Sequence, residues 1–293
     1  MLKQQKSFHN GEKDLGDLYL VPTPIGNLED MTFRAVKILK EVDIIAAEDT
    51  RQSKKLCNHF EIDTHIFSYH EHNKEYSGNK VIDYLKEKKN VALISDAGMP
   101  TISDPGSELV KQVLAVGGSV IPLPGANAAL TALIASGITP QPFYFFGFLD
   151  RQKKEKKQQL ESLRSRRETF ILYESPHRLK ETLMLMKEYL GNRIICLSRE
   201  LTKKFEEFIR GNIDEVVKWS EENEIRGEFC IIVEGSSEDE EVKEEDTWWS
   251  GLSIEDHVEH YIKLSLSSKD AIKRVAGERG LQKRDVYQAY HID

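Results

Sequence analysis

The feature that most constrains this chain is a repeated alternation of short apolar runs with stretches of helical periodicity. LYLV (18–21) reads as a strand, and residues 30–42 carry Met31, Ala35, Ile38, Leu39 and Val42 at helical spacing behind an acidic start. DIIAA (43–47), VALI (91–94) and SVIPL (119–123) repeat the strand pattern, with a helix expected at about 105–116. Asp104 is placed to cap that helix, and Pro105 to take its first position, where a missing N–H costs nothing. Strands this uniformly apolar must be covered on both faces. The rhythm therefore predicts a mostly parallel sheet with helices on either side.

After PGAN (124–127) the texture changes. An Ala-rich helix (128–136), the aromatic strand FYFFGFL (143–149) and a highly charged helix (153–166) come first. TFILY, a helix near 176–190, RIICLS, KFEEFIRG, a further helix and EFCIIVEG complete a second α/β unit that is mixed rather than strictly alternating. EDEEVKEED (238–246) has seven acidic residues in nine and reads as a solvated linker. The expected organisation is a disordered tail (1–16), an N-terminal α/β domain (17–124) and a C-terminal α/β domain (125–236). An acidic linker (237–247) and a small helical domain of helix-turn-helix type (248–293) follow.

With 39% hydrophobic and 31% charged residues in 293, the chain reads as a globular protein with a sizeable core. A net charge of −8 argues against a protein that coats nucleic acid indiscriminately. Local basic stretches remain: residues 151–168 hold eight Lys/Arg against three Asp/Glu, and 263–293 hold seven against four. Each is either a solvated helix face or a surface for nucleic-acid phosphates. Cys57, Cys196 and Cys230 show no CxxC spacing and suit a reducing cytoplasm. There is no apolar signal segment and no run of about 18 apolar residues, so a cytoplasmic location without a membrane span is expected. His70 and His72 in YHEHNK lack an accompanying ligand pattern, so they read as a substrate-facing loop and no metal is expected.

Four turn-rich segments sit where predicted strands end: VPTPIGNL (21–28), AAEDTR (46–51), SDAGMPTISDPG (95–106) and LPGANA (123–128). In open α/β sheets ligands lie along that edge. Small residues there let a ligand approach the backbone. Neither GxGxxG nor GxxxxGK[ST] occurs. Arg51 is the one basic residue in these loops, so a nucleoside-like ligand of little negative charge fits better than a polyphosphate.

LYLVPTPIGNLED, AAEDTR, LISDAGMPTISDPG, PLPGANAALTAL, YESPHR, SRELTKKFEEFIRG and GEFCIIVEG, in this order, closely resemble the ribosomal RNA small subunit methyltransferase I family. That family comprises 16S rRNA cytidine 2′-O-methyltransferases of the tetrapyrrole methylase superfamily. The resemblance runs from about residue 18 to 235 and covers the helical tail more loosely. It implies two α/β domains with S-adenosylmethionine (SAM) in the cleft between them, a 16S rRNA substrate within the small ribosomal subunit or an assembly intermediate, and a homodimer.

Carried over by position, the resemblance places Pro24, Ser95, Asp96, Ala97, Gly98, Met99, Pro100, Ile102, Asn127, Ala128, Tyr173, Gly227 and Glu228 at the cofactor. The superfamily's loop is often Gly-Asp-Pro; here Gly98-Met99-Pro100 stands there, and Asp96 is the candidate to replace the missing acid. Asp49 is the candidate base for the ribose hydroxyl, with Arg51, Glu174, Arg199 and Glu200 near the chemistry. Lys153, Lys154, Lys156, Lys157, His177, Arg178, Lys203, Lys273, Arg274, Lys283 and Arg284 are candidates for RNA contact. Plainer roles compete for several of these. Tyr173 could be a core aromatic, Glu228 a strand-edge carboxylate, Pro24, Gly98 and Pro100 turn residues, and Asp49 a helix cap or the salt-bridge partner of Arg51. Two other functions share the fold: SAM-dependent methylation of a tetrapyrrole, and ribosome binding without catalysis.

Overall fold

The computed structural model describes residues 4–7, 14–237, 249 and 251–291. Most of the expected tail (1–3, 8–13), nearly all of the acidic linker (238–247) and positions 248, 250, 292 and 293 lie outside the described residues. Among the described residues no helix is long and apolar enough to cross a membrane.

Strands β1 (Asp17–Leu20), β2 (Ile44–Ala47), β3 (His65–Ser68), β4 (Val91–Ile94) and β5 (Ser119–Pro122) form a parallel sheet in the order β3-β2-β4-β1-β5. Helices α1 (Phe33–Glu41), α2 (Thr50–His59), α3 (Lys74–Lys86) and α4 (Ser107–Ala115) cover it. Successive β4 residues enter opposite cores: Ala92 and Ile94 pack with Leu39 and Ile45, while Val91 and Leu93 pack with Leu85 and Leu109. That two-sided burial is what the uniformly apolar runs imply. The reading of apolar runs passed over α2, β3 and α3. HIFS is a half-buried edge strand whose first residue is exposed, so its apolar signal is short.

The second sheet is built from β6 (Phe143–Phe148), β7 (Thr169–Glu174), β8 (Ile194–Arg199), β9 (Glu207–Asn212) and β10 (Phe229–Val233), in the order β6-β7-β10-β8-β9. The β6–β7 pair is parallel and the others are antiparallel. Helix α5 (Ala128–Ser136) covers one face, where Ala132 and Leu133 meet Ile171, Cys230 and Ile232. The other face packs Phe229, Ile231 and Val233 against α6 (Lys153–Leu163), α7 (Leu179–Leu190) and α8 (Ile213–Glu222).

Three expected site residues are built into this second half instead of facing a substrate. Lys156 is fully buried, because it shares the inward stripe of α6 with Leu160 and Leu163. Its Nζ donates to Thr182 Oγ1 at 3.1 Å and lies 3.5 Å from Glu181. The Thr182 hydroxyl in turn donates to buried Glu174 at 2.6 Å. Arg178 pairs with Glu174 at 3.3 Å and donates to the Leu149 and Asp150 carbonyls, both at 2.8 Å. Glu174 is thus not poised for catalysis, and neither Lys156 nor Arg178 is available to RNA.

The carboxy-terminal unit has its own core. Helices α9 (Ile254–Lys263), α10 (Ser268–Glu278) and α11 (Lys283–His291) bury Val258, Ile272, Val275 and Val286 together. Glu278 accepts from Tyr261 at 2.7 Å and from Arg274 at 3.1 Å, and Arg279 donates to the Leu252 carbonyl at 2.6 Å. Arg274 also stacks on the Tyr261 ring, so it braces the unit while remaining exposed, as Lys273, Lys283 and Arg284 are.

The Thr182 hydroxyl links a buried ammonium to a buried carboxylate. Thr182→Val would leave both short of a partner, a loss of about 1.5–3 kcal/mol for hydrogen bonds to charged groups. Urea unfolding should show a lower midpoint for this variant.

Candidate active site

The loops after β1, β2, β4 and β5 meet the strand ends of the second sheet around one cavity of about 480 Å³. Each of the four turn-rich segments contributes. Ile25 comes from the first and Glu48 from the second, a continuous wall from Asp96 to Met99 and again from Ile102 to Asp104 from the third, and Asn127 and Ala128 from the fourth. Pro24, Ser95 and Pro100 do not line it; Ser95 and Pro100 are buried behind the wall.

The wall is held by backbone pairing. Thr23 N donates to Gly98 O at 3.0 Å and Gly98 N to Thr23 O at 2.9 Å, tying the first loop to the third. Thr23 Oγ1 donates to Ser95 O at 3.1 Å and Ser95 Oγ to Gly98 O at 3.2 Å. Gly98 holds φ +78°, where a side chain is disfavoured, and a Cβ there would stand 3.3 Å from Ile25. A Cβ on Gly26 would fall 2.5 Å from Lys203 Cγ, so the first loop lies directly on the 201–203 segment of the second half.

The opposite wall comes from Phe148, Tyr173, Ser198 and the run from Gly227 to Cys230. Tyr173 accepts a hydrogen bond from Ala129 N at 3.1 Å and meets Phe145 and Phe148 edge-on, with centroids 5.2 and 5.5 Å away. Burial drives its phenol pKa well above the ordinary value, so the ring stays neutral. Tyr173 packs against the core and also lines the cavity. Lys203 lines the rim, 3.1 Å from Glu200.

Five carboxylates border the cavity: Glu48, Asp96, Asp104, Glu228 and Glu200, the last paired with Lys203. The structure corrects the expected cap. Helix α4 begins at Ser107 behind Gly106, which has no side chain to cap it. A Cβ on Gly106 would lie 2.7 Å from Leu93, so the loop needs this close approach before the helix can start. Asp104 is thereby left at the cavity wall. Burial, then Glu48, Asp96 and Glu228, push its carboxyl up to about 6, against the pull of a hydrogen bond with Ser95. Burial and then Asp96 also raise Glu48, whose buried Oε2 has no hydrogen-bond partner.

Asp49 is engaged elsewhere. Its Oδ1 caps α2 by accepting from Arg51 N at 2.8 Å, and the Arg51 side chain grips the same carboxylate at 2.9 and 3.2 Å. Arg51 holds that carboxyl down at about 2, and neither residue lines the cavity. Arg199 pairs with Glu207 at 2.5 Å, stands over the Trp219 ring and also lies away from the cavity lining. Lys153, Lys154 and His177 are exposed, whereas Lys157 is half-buried and bonded to Glu188 at 3.2 Å. The sequence reading missed Glu48 and Asp104. Glu48 adjoins the residue chosen from AAEDTR. The Asp-Pro-Gly run at 104–106 carries a cap signal that the loop overrides.

Residues 17–217 match the model of the tetrapyrrole (corrin/porphyrin) methylases. A ribosomal RNA small subunit methyltransferase I of Bacillus subtilis (strain 168) is 66% identical over 292 residues, 100% of this chain and 99% of the relative. Its counterpart from Halalkalibacterium halodurans is 58% identical over 99% of each chain. Among solved structures, the uroporphyrin-III C-methyltransferase of Thermus thermophilus complexed with S-adenosyl homocysteine superposes with a TM-score of 0.54 at 18% identity. That match covers 75% of this chain and 97% of the other, and shows a shared fold.

An acid whose folded-state pKa stands above its unfolded one takes up a proton on folding. Asp104, raised from 3.8 to about 6, therefore opposes folding once ionised, and the opposition fades as the pH falls toward 3.8. Asp104→Asn should melt at a higher temperature than the parent near pH 8, with the difference vanishing near pH 4. Thermal scans across that range provide the check.

Proposed function

Because the chain belongs to the tetrapyrrole methylase family, and within it to the ribosomal RNA small subunit methyltransferases I, we propose that it methylates 16S rRNA. SAM is the methyl donor and the ribose 2′-oxygen of a cytidine in the decoding region is the acceptor. The observation that carries this reading is the match over the whole chain, helical tail included, at 66% identity.

The cavity suits the cofactor. Its volume of about 480 Å³ falls within the range of roughly 300–1,000 Å³ usual for small-molecule sites. Asp96, Asp104, Glu48 and Glu228 favour a sulfonium cation, and Phe148, Tyr173, Met99 and Leu201 offer an apolar surface to an adenine ring. Gly98 and Gly227, both at positive φ, line the cavity without a side chain. When bound, SAM supplies an activated methyl group on sulfur. The residues supply placement, and near-attack geometry is worth about 7–11 kcal/mol.

A tetrapyrrole carrying many carboxylates would meet five acids against one lysine at this cavity, which argues against the macrocycle as acceptor. Exposed Lys153, Lys154 and His177 in the first unit, and Lys273, Lys283 and Arg284 in the second, are suited to RNA phosphates, where binding weakens steeply with salt. The substrate is a small ribosomal subunit or an assembly intermediate, and the working form is a homodimer.

Labelled SAM should be offered to small subunits from a strain lacking this gene, with naked 16S rRNA and a uroporphyrinogen in parallel. Label on one cytidine ribose of the subunit is expected. Label on the macrocycle alone, or cofactor binding without any transfer, would overturn the reading.

A further inference from the structure

A second cavity of about 370 Å³ adjoins the first and shares Glu48, Ser103 and Asp104 with it. Beyond that common wall its lining comes from Tyr69, Glu71, Lys74 and the stretch from Pro105 to Glu108. All of these belong to the first α/β half. Displacement of a methyl group needs the attacking oxygen within about 3–3.5 Å of the carbon and in line with the breaking bond. The acceptor must therefore enter beside the cofactor, and the two cavities meet at one wall. At that wall Glu48 Oε2 is buried without a hydrogen-bond partner, an acceptor atom awaiting a donor.

We propose, resting on the methyl-transfer reading above, that the second cavity receives the acceptor nucleoside with its sugar edge at the shared wall. Asp104 is the catalytic residue that takes the hydroxyl proton, and Glu48 is the positioning residue beside it. In this step the acceptor oxygen bonds to the methyl carbon while the carbon–sulfur bond breaks and leaves its electron pair on sulfur. The hydroxyl proton passes to an Asp104 carboxylate oxygen. A sulfonium, an alcohol and a carboxylate become a thioether, an ether and a carboxylic acid, so charge and atoms balance.

The other acids of the region are placed differently. Asp49 is gripped by Arg51 and lines neither cavity. Asp96 accepts from Asp49 N at 3.0 Å and, like Glu228 and the Lys203-paired Glu200, borders the first cavity alone. Glu71 and Glu108 border the second alone, with Glu71 bonded to Lys74. Of the two that border both, Asp104 has a carboxyl at about 6, matched to proton abstraction near neutrality. The charges facing it come from the end of β2 (Glu48), its own loop (Asp96) and the lead into β10 (Glu228), while His70 faces Glu48.

The experiment measures cofactor affinity by calorimetry and methyl transfer to the RNA substrate as a function of pH. In Asp104→Asn kcat at saturating SAM should fall by about 10²–10⁴-fold, whatever SAM affinity is lost with one of the cavity's acids, and the acid limb of its profile should disappear. Glu48→Gln removes a neighbouring negative charge, so the limb should move below about pH 6, a shift that a merely structural role would not produce. Ser107→Phe, which lies in the second cavity only, should raise KM for RNA and leave cofactor affinity unchanged. Parental kcat and pH profile in Asp104→Asn, or an unmoved limb in Glu48→Gln, would overturn the assignment of the base. An unchanged KM in Ser107→Phe would overturn the acceptor cavity. A parent that methylates no RNA would instead overturn the functional reading, and this inference with it.

Discussion

The reciprocal backbone pairing of Thr23 with Gly98 is the contact on which the rest of the site depends. Strands β1 and β4 are neighbours in the sheet, and both chains leave it in the same direction. Without a tie, two loops diverging from parallel strands would have no fixed spacing. The bridge fixes it, and it needs the left-handed backbone at Gly98. Thr23 and Ser95 are buried behind it with their hydroxyls satisfied, Thr23 donating to Ser95 O and Ser95 adding a second bond to Gly98 O. The cavity wall is thus an extension of the sheet, stiff enough to hold reactants in place.

Stability and chemistry pull against each other at this wall. Glu48, Asp96, Asp104 and Glu228 bring like charges together in a partly buried place, and the raised pKa values of Glu48 and Asp104 express that cost. The chain shows elsewhere that it can satisfy buried charge. The Lys156–Thr182–Glu174–Arg178 chain joins α6, β7 and α7 with every carboxylate oxygen of Glu174 engaged. Uncompensated acids at the cavity stand out against that background, and strained or perturbed groups gather where a site must act.

Strand and helix identities were largely legible in the sequence, because burial on both faces writes itself as an unbroken apolar run. VALI and the α5 segment fall where the structure has them. Edge strand β3 was not legible, because half-buried residues give no run to read. The four ligand-edge loops could be found from their turn chemistry, but not which of their residues face inward. Ile25 faces the cavity while Pro24 does not, and Glu48 does while Asp49 caps a helix, since adjacent positions point in different directions. Lys156 was misread for a related reason. A charged helix reveals its net charge in composition, but only the register of Leu160 and Leu163 shows that one lysine points inward.

The two halves contribute unlike surfaces. Three of the cavity's five acids, Glu48, Asp96 and Asp104, stand on loops of the first sheet, whereas the second half supplies the aromatic and apolar side, Phe148, Tyr173, Phe229 and Cys230, with Glu228 and the Glu200–Lys203 pair at its margin. A cofactor that carries a cation at one end and a flat aromatic ring at the other is oriented by such a division without a dedicated charged clamp. It also explains why the loops need so few basic residues. On the function proposed above, the attraction is for a positive sulfur next to the acids, and phosphate binding is left to lysines on exposed helices. On that reading a protein of net charge −8 can still engage RNA, because residues 151–168 and 263–293 each carry a local excess of Lys/Arg.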